Sequence, residues 1–348
     1  MHQDTIEVRP DETFDEARLA DYLRGRLDGS EQSLVVRQFG GGLANLTYLL
    51  DYGSHEYVLR RPPLGPVARA AHDMGREYRV LSVLHRVYPL APRAFLYCDD
   101  DSVIGAPFIV AERKRGLVVR TQMPKQFADT PGAARRIGFA LADALADLHA
   151  VDYRALGLEG LGRPKGFIER QIEGWYKRWH AARPADSPLM EELYAWLREN
   201  KPTSESHSLV HNDFKLDNVM LAADDPGQLV AVFDWDMCTL GNPLNDLGAL
   251  LCYWTERTDP DWMQGMVMVP LGVDFPSREE LTARYAKRSG RDVSNIRFYH
   301  VLGLFRLAGI IAQIYIRYVR GQTQDQRFAG LGRRIPLIIR AAHELASR

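Results

Sequence analysis

Two short segments hold most of the residues able to do chemistry. One is Leu209-Val210-His211-Asn212-Asp213-Phe214-Lys215-Leu216-Asp217-Asn218. The other, after a short hairpin, is Val232-Phe233-Asp234-Trp235-Asp236. Phosphoryl transfer from a nucleotide to an alcohol needs one carboxylate to take or orient the hydroxyl proton. It also needs oxygen ligands that hold Mg²⁺ against the phosphates. Asp213 and Asn218 stand five residues apart, in the spacing H-x-D-x-x-x-x-N. Asp234 ends an apolar β run and supplies a hard anionic oxygen, while Asn218 supplies a neutral one. Alone, either segment reads as polar loop residues making Asx turns. Together and in this order they point to metal-assisted phosphoryl transfer, with Asp213 as base and Asn218 and Asp234 on the metal. His211 reads as a residue that holds the loop by hydrogen bonds.

These residues must be positioned by elements that the apolar spacing makes visible. A first helix is expected over Phe14–Leu27, after a polar and loose stretch 1–12. Strands follow at Leu34–Phe39, Leu46–Asp51 and Glu56–Arg61, the first two joined by the glycine-rich bend 40–45. The run Arg61-Pro62-Pro63-Leu64-Gly65-Pro66 stops the third strand, because proline cannot donate to a ladder. A helix at about 70–87 and strands at Ala94–Cys98 and Phe108–Glu112 complete the sheet-rich part. Helices are then expected over Ala133–His149, Phe167–Ala182, Met190–Asn200, Arg278–Ala286, Ile296–Val319 and Pro336–Ala346. A small β patch falls at Leu209-Val210, Val219–Leu221 and Leu229–Phe233. The segregation argues for an α+β fold of two lobes: 1–115 with an antiparallel sheet and one main helix, and 116–348, larger and mostly helical.

The composition is that of a globular chain of 348 residues, 46% hydrophobic and 26% charged, with a net charge of −1. It excludes a disordered or disulfide-scaffold protein and offers no global field for nucleic acid or a membrane surface. Cys98, Cys238 and Cys252 form no CxxC pair, which reads as buried thiols in a reduced, cytoplasmic protein. No signal peptide is legible after Met1. The apolar run Val301–Ile316 carries Arg306 and is expected to be a buried helix too short to span a bilayer.

The quoted segments, with FGGGLANLTYLL, YVLRRPP, REYRVL, FIVAERKRG, LADLHAVD and VFDWDMCTLGNPLNDL, resemble the aminoglycoside phosphotransferase and choline kinase-like family of the protein-kinase-like fold, over roughly residues 30–320. In detail the chain resembles the subfamily found free-standing or fused to acyl-CoA dehydrogenases; its length leaves no room for a dehydrogenase domain. The resemblance implies an ATP- and Mg²⁺-dependent small-molecule kinase with Asp213 as catalytic base and Asn218 and Asp234 as Mg²⁺ ligands. Asp236 would lie just outside the metal, and Asp246 would cap the next helix and brace the catalytic loop. Gly41, Gly42 and Asn45, within Gly40–Asn45, would cover the phosphates. Glu112 and Lys114 would pair with adenine by their backbones. Arg60 stands where relatives carry a lysine, with Glu77 as its expected partner, and Ala44 stands where they often carry serine.

The acceptor must meet the helical lobe beside Asp213. Residues 251–348 carry 15 Arg and Lys against 9 Asp and Glu, and Arg306 within an apolar helix needs an anionic partner. That partner is either an internal carboxylate or an acceptor that carries negative charge. The second reading gives an alcohol of a hydroxy acid or hydroxyacyl-CoA as the phosphate acceptor. An aminoglycoside or choline kinase, and a kinase-fold nucleotide-binding protein without catalysis, are the alternatives. Arg61 reads as solvated, and the run Arg113-Lys114-Arg115 as a solvated edge or a phosphate-side contact. No nucleic-acid or membrane partner is implied, and no oligomeric state.

Overall fold

The computed structural model describes residues 4–40, 45–63, 73–182, 187–203, 206–264, 269–270, 272–323 and 325–348. Most of the expected bend 40–45 and positions 70–72 of the expected second helix lie outside these residues. The chain divides into two compact units, Met1–Gly116 with Val230–Cys238, and Leu117–Leu229 with Thr239–Arg348.

The first unit opens with β1 (Thr5–Ile6), which pairs with β2 (Val35–Phe39), so the amino-terminal stretch is tied down where looseness was expected. Between them runs α1 (Glu16–Leu23), capped by Asp15, whose side chain accepts from the Arg18 N–H. Then follow β3 (Leu46–Asp51), β4 (Glu56–Arg61), α2 (Met74–Leu84), β5 (Ala94–Cys98), the short α3 (Asp101–Ile104) and β6 (Phe108–Glu112). The antiparallel sheet has the order β1-β2-β3-β4-β6-β5. Leu19 and Leu23 of α1 pack with Tyr48, Leu50, Tyr57, Leu59 and Phe108, all buried.

Strand alternation decides the two arginines of β4. Tyr57, Leu59 and Arg61 are buried on one face, and Arg60 lies on the other. Arg61 is therefore not solvated: it is 3% exposed and donates to the Ile104 carbonyl at 2.8 Å. On α2, Met74, Glu77, Leu81 and Leu84 follow one stripe, which carries Glu77 into the interior. The basic run is also internal in part, for Arg113 pairs with Asp4 and Glu56, each at 2.9 Å.

In the second unit, α4 (Ala133–His149), α5 (Phe167–Ala182) and α6 (Pro188–Glu199) precede β7 (Ser208–Val210), β8 (Val219–Leu221) and β9 (Leu229–Val232), whose last residues join the first unit. Next come β10 (Thr239–Gly241), α7 (Pro243–Tyr253), α8 (Asp261–Gln264), α9 (Arg278–Ser289), α10 (Ile296–Val319) and α11 (Ile335–Ala346). β10 pairs with β7 antiparallel, Leu240 facing Leu209. α9 starts on a full capping box of Ser277 and Glu280 and ends on Gly290 in the left-handed region. It is tied to α4 by Arg284–Asp143 and Arg288–Asp147.

Two glycines let α7 and α10 meet backbone to backbone. A Cβ at Gly248 would lie 2.4 Å from the Tyr299 carbonyl, and one at Gly303 would lie 2.5 Å from the Cys252 sulfur. The apolar run expected to be short is the 24-residue α10, long and apolar enough to cross a membrane by length and composition. It is also 56% buried over its most apolar window.

Candidate active site

The segment from His211 to Asn218 runs out of β7, and its first backbone N–H groups are held by one carboxylate. Asp246, in the first turn of α7, is fully buried. Its Oδ2 accepts from the His211 N–H at 2.6 Å and its Oδ1 from the Asn212 N–H at 2.9 Å. The brace expected of Asp246 is present, but the helix cap is Asn242, whose side chain accepts from the Leu244 N–H.

Behind Asp246 stands His149, with Nε2 3.3 Å from Asp246 Oδ2 and Nδ1 2.8 Å from the Tyr285 hydroxyl. Burial pushes the His149 imidazole down, so it is neutral near pH 7. A neutral ring that donates from Nε2 to the carboxylate accepts from Tyr285 at Nδ1. Burial opposes the charge on Asp246, yet the hydrogen bond from His149 and the His211 N–H hold its carboxyl below the usual range.

Asn212 is pinned at φ 66°, and Asn245 donates to its side-chain oxygen at 3.2 Å. The other non-glycine residue with positive φ among those described is Asp234, at 68°. Strained backbone of this kind is retained at functional sites, and here it marks the two segments that carry the candidate chemistry.

In the second unit, Asp213 and Asn218 meet as their spacing implied. Asn218 Nδ2 donates to the Asp213 carbonyl at 2.8 Å and to its Oδ2 at 3.0 Å. That orientation turns the Asn218 amide oxygen away from Asp213. His211 Nδ1 accepts from the Asp213 N–H at 3.3 Å, in keeping with a loop-holding part.

Lys215 went unread in the sequence, although a lysine two residues after the aspartate was the available signal. Its Nζ lies 2.9 Å from Asp213 Oδ2 and 5.4 Å from the centre of the Tyr253 ring. Burial lowers the Lys215 ammonium, but the Asp213 charge outweighs it, so Lys215 is held protonated. Burial and the Asp213 charge push the Tyr253 hydroxyl up to about 12, against the opposing fields of Lys215 and Arg306.

In the first unit, Arg60 bridges two carboxylates: Nη1 is 3.0 Å from Glu77 Oε1 and Nη2 is 2.8 Å from Asp234 Oδ1. The Asn45 amide reaches Asp236 Oδ2 at 3.4 Å. Burial pushes the Glu77 carboxyl up to about 7, against the attraction of Arg60. The Glu112 N–H donates to the Arg93 carbonyl at 2.8 Å, and the Glu112 side chain pairs with Lys114 at 2.9 Å. Gly41 and Gly42 lie outside the described residues.

No cluster of three or more His, Cys, Asp or Glu side chains able to cage a metal occurs among the described residues. The Asn218 amide oxygen in the second unit and the Asp234 carboxylate in the first are each of a type that Mg²⁺ accepts.

Arg306 has no hydrogen bond and no ion pair among the described residues, and none of their carboxylates partners it. It is 7% exposed and lies with its guanidinium carbon 5.4 Å from the centre of the Trp175 ring.

An antiparallel sheet with one main helix, a mostly helical remainder, and an aspartate–asparagine loop braced from a buried helix define a kinase-like phosphotransferase. A family model described as the phosphotransferase enzyme family matches residues 35–281, and the chain belongs to that family. A solved Ralstonia eutropha protein assigned to the aminoglycoside phosphotransferases superposes with a TM-score of 0.81 and 29% identity, covering 96% of this chain and 99% of that one. Choline kinase from Cryptosporidium parvum gives 0.61 at 14% identity over 94% and 98% of the two chains, a likeness of fold.

By sequence, the acyl-CoA dehydrogenase family member 11 proteins of Mus musculus and Homo sapiens are 37% and 35% identical. Each alignment covers 93% of this chain and 42% of the relative. The chain thus spans less than half the length of these curated relatives.

Proposed function

We propose that this protein transfers the γ-phosphoryl group of ATP to the alcohol of an anionic acceptor, a hydroxy acid or a hydroxyacyl-CoA, in the cytoplasm. The observation that carries the acceptor reading is Arg306, nine-tenths buried and with no carboxylate partner among the described residues. A cation in that position favours an anion brought by the acceptor and disfavours the cationic aminoglycosides and choline. The names of the full-length relatives, acyl-CoA dehydrogenases, support a thioester as one form of that acceptor.

In this reading residues 1–115 cover the nucleotide, and 116–348 carry the catalytic loop, the metal ligands and the acceptor site. Asp213 takes the hydroxyl proton, and Lys215 beside it fixes the direction of that carboxylate. Asn218 and Asp234 hold Mg²⁺, and Gly41, Gly42, Asn45 and Arg60 attend the phosphates, with Glu77 orienting Arg60. The Glu112 carbonyl and the Lys114 N–H would pair with adenine, while the Glu112 N–H donates to Arg93. When bound, Mg²⁺ supplies charge neutralisation at the phosphates.

Steady-state kinetics on Arg306→Ala tests the acceptor. The expected result is a Michaelis constant raised roughly 10-fold or more for hydroxy acids or hydroxyacyl-CoA, with that for ATP little changed. Efficient phosphorylation of kanamycin-like compounds or choline, with none of the anionic alcohols, would refute it. The rival reading, a nucleotide-binding protein without catalysis, draws on Arg60 at Asp234 Oδ1. It predicts thermal stabilisation by Mg-ATP with no ADP release on any alcohol.

A further inference from the structure

One indole ring in the second unit carries two guanidinium groups. Arg178, three residues on from Trp175 in α5, has its guanidinium carbon 4.6 Å from the ring centre, and Arg306 of α10 has its own at 5.4 Å. Trp175 is buried, and its Nε1 donates to Gln171 at 3.2 Å. Arg178 is exposed and, like Arg306, has neither hydrogen bond nor ion pair among the described residues.

The acids of α5 are engaged elsewhere: Glu169 with Lys201 at 2.8 Å, and Glu173 with the Tyr194 hydroxyl at 2.9 Å. Inward from Arg306 the pattern continues. Tyr253 feels the charges of both Arg306 and Asp213, and Lys215 sits over its ring and beside Asp213. Cations and aromatic rings therefore recur between Asp213 and the exposed flank of α5: Lys215 over Tyr253, then Arg306 and Arg178 over Trp175.

Two like charges on one ring repel, and a ring face returns only part of what a buried guanidinium loses in leaving water. Both costs are offset once oxyanions sit against the two forks, which match carboxylate and phosphate geometry. A single carboxylate at Arg306 leaves Arg178 unmatched. We propose that Trp175 and Arg178 form the outer half of the acceptor site, where a second oxyanion of the acceptor binds beyond the one held at Arg306. This rests on the anionic-acceptor reading above and extends it: the acceptor carries at least two negative groups, as carboxylates or as phosphate.

The test compares the whole chain with Arg178→Ala and Arg178→Lys on three acceptors: a hydroxy monocarboxylate, a hydroxy dicarboxylate and a hydroxyacyl-CoA. Expected is a preference of the parent for one doubly charged acceptor over the monocarboxylate. In Arg178→Ala that preference falls roughly 10-fold, through KM and not kcat, and Arg178→Lys restores part of it. Which of the two preferences falls identifies carboxylate or phosphate as the second group.

A second measurement needs no turnover. Tryptophan fluorescence is titrated with inorganic pyrophosphate while a non-hydrolysable ATP analogue and Mg²⁺ saturate the nucleotide site. A response that is present in the parent and weakened in Arg178→Ala supports the site even where no acceptor is phosphorylated, so failure of the kinase reading stays separate. Equal preferences and equal titrations in parent and Arg178→Ala would overturn the proposal.

Discussion

Replacing Asp246 by asparagine separates the brace from the chemistry. The change keeps the shape of a fully buried side chain and turns one of two accepting oxygens into a donor. In the parent, Oδ1 accepts from Asn212 and Oδ2 from His211 and His149. With asparagine the amide nitrogen must face at least one N–H. That removes a bond to a charged acceptor, worth about 1.5–3 kcal/mol, and leaves a buried donor unpaired at about 1–3 kcal/mol. The total, about 2.5–6 kcal/mol, brackets the usual cost of breaking a buried charged pair, about 3–5 kcal/mol.

At roughly 2–4 °C per kcal/mol, the melting temperature should fall by on the order of 10 °C. Asn212, held at φ 66° by this carboxylate, would relax and carry Asp213 with it. A displacement of about 1 Å at a reacting group costs on the order of 100-fold in turnover. Differential scanning calorimetry and urea unfolding give the first number, and ADP release at saturating ATP gives the second. The sign with pH is also fixed. The Asp246 carboxyl lies below its ordinary range in the folded chain, so its contribution is present above about pH 4 and is lost as pH falls through the folded value. The parent and Asp246→Asn should therefore converge in stability in acid. A variant that melts within 1–2 °C of the parent, set against the shift worked out here, would show that the two backbone N–H groups do not depend on this charge.

Other outcomes follow from the same geometry. Asp213→Asn should leave ATP affinity by calorimetry nearly intact while lowering turnover by about 10²–10⁴-fold, the range of general bases. Asp234→Asn should abolish Mg²⁺-dependent ATP turnover, and wild-type rates in either variant would remove that residue from its role. His149 is kept neutral by burial, so the unfolded chain alone takes up its proton below about pH 6.5. Stability should decline as pH drops through that value, by up to about 1.4 kcal/mol per pH unit, and His149→Gln should remove that part of the slope in urea titrations. Gly248→Ala forces a Cβ to within 2.4 Å of the Tyr299 carbonyl, where backbone cannot give way. A loss of about 1–3 kcal/mol is expected, and an unchanged melting temperature would contradict the close crossing of α7 and α10.

The sequence by itself determined the elements whose apolar spacing is local. β3, β4, β5, β6, β8, α4, α5 and α10 begin and end where their patterns do, because period 2 and period 3.6 are written in adjacent residues. The Asp213–Asn218 contact was legible for the same reason: five residues of one tight loop bring both side chains together. What spans long separations was not legible. Asp246 meets His211 from 35 residues away and His149 from 97, and Tyr285 lies 136 residues from the histidine that it bonds. Nothing local announces such partners. Arg61 and Arg113 read as solvated because charge prefers water, yet the face of a strand and a facing pair of acids drew them inward. Arg306 was ambiguous for the opposite reason: its helix was plain, but whether a carboxylate faced it depended on which elements pack there. Among the described residues, packing put the Trp175 ring against it and no acid. A buried charge takes its meaning from the groups around it, and those are chosen by packing between distant segments.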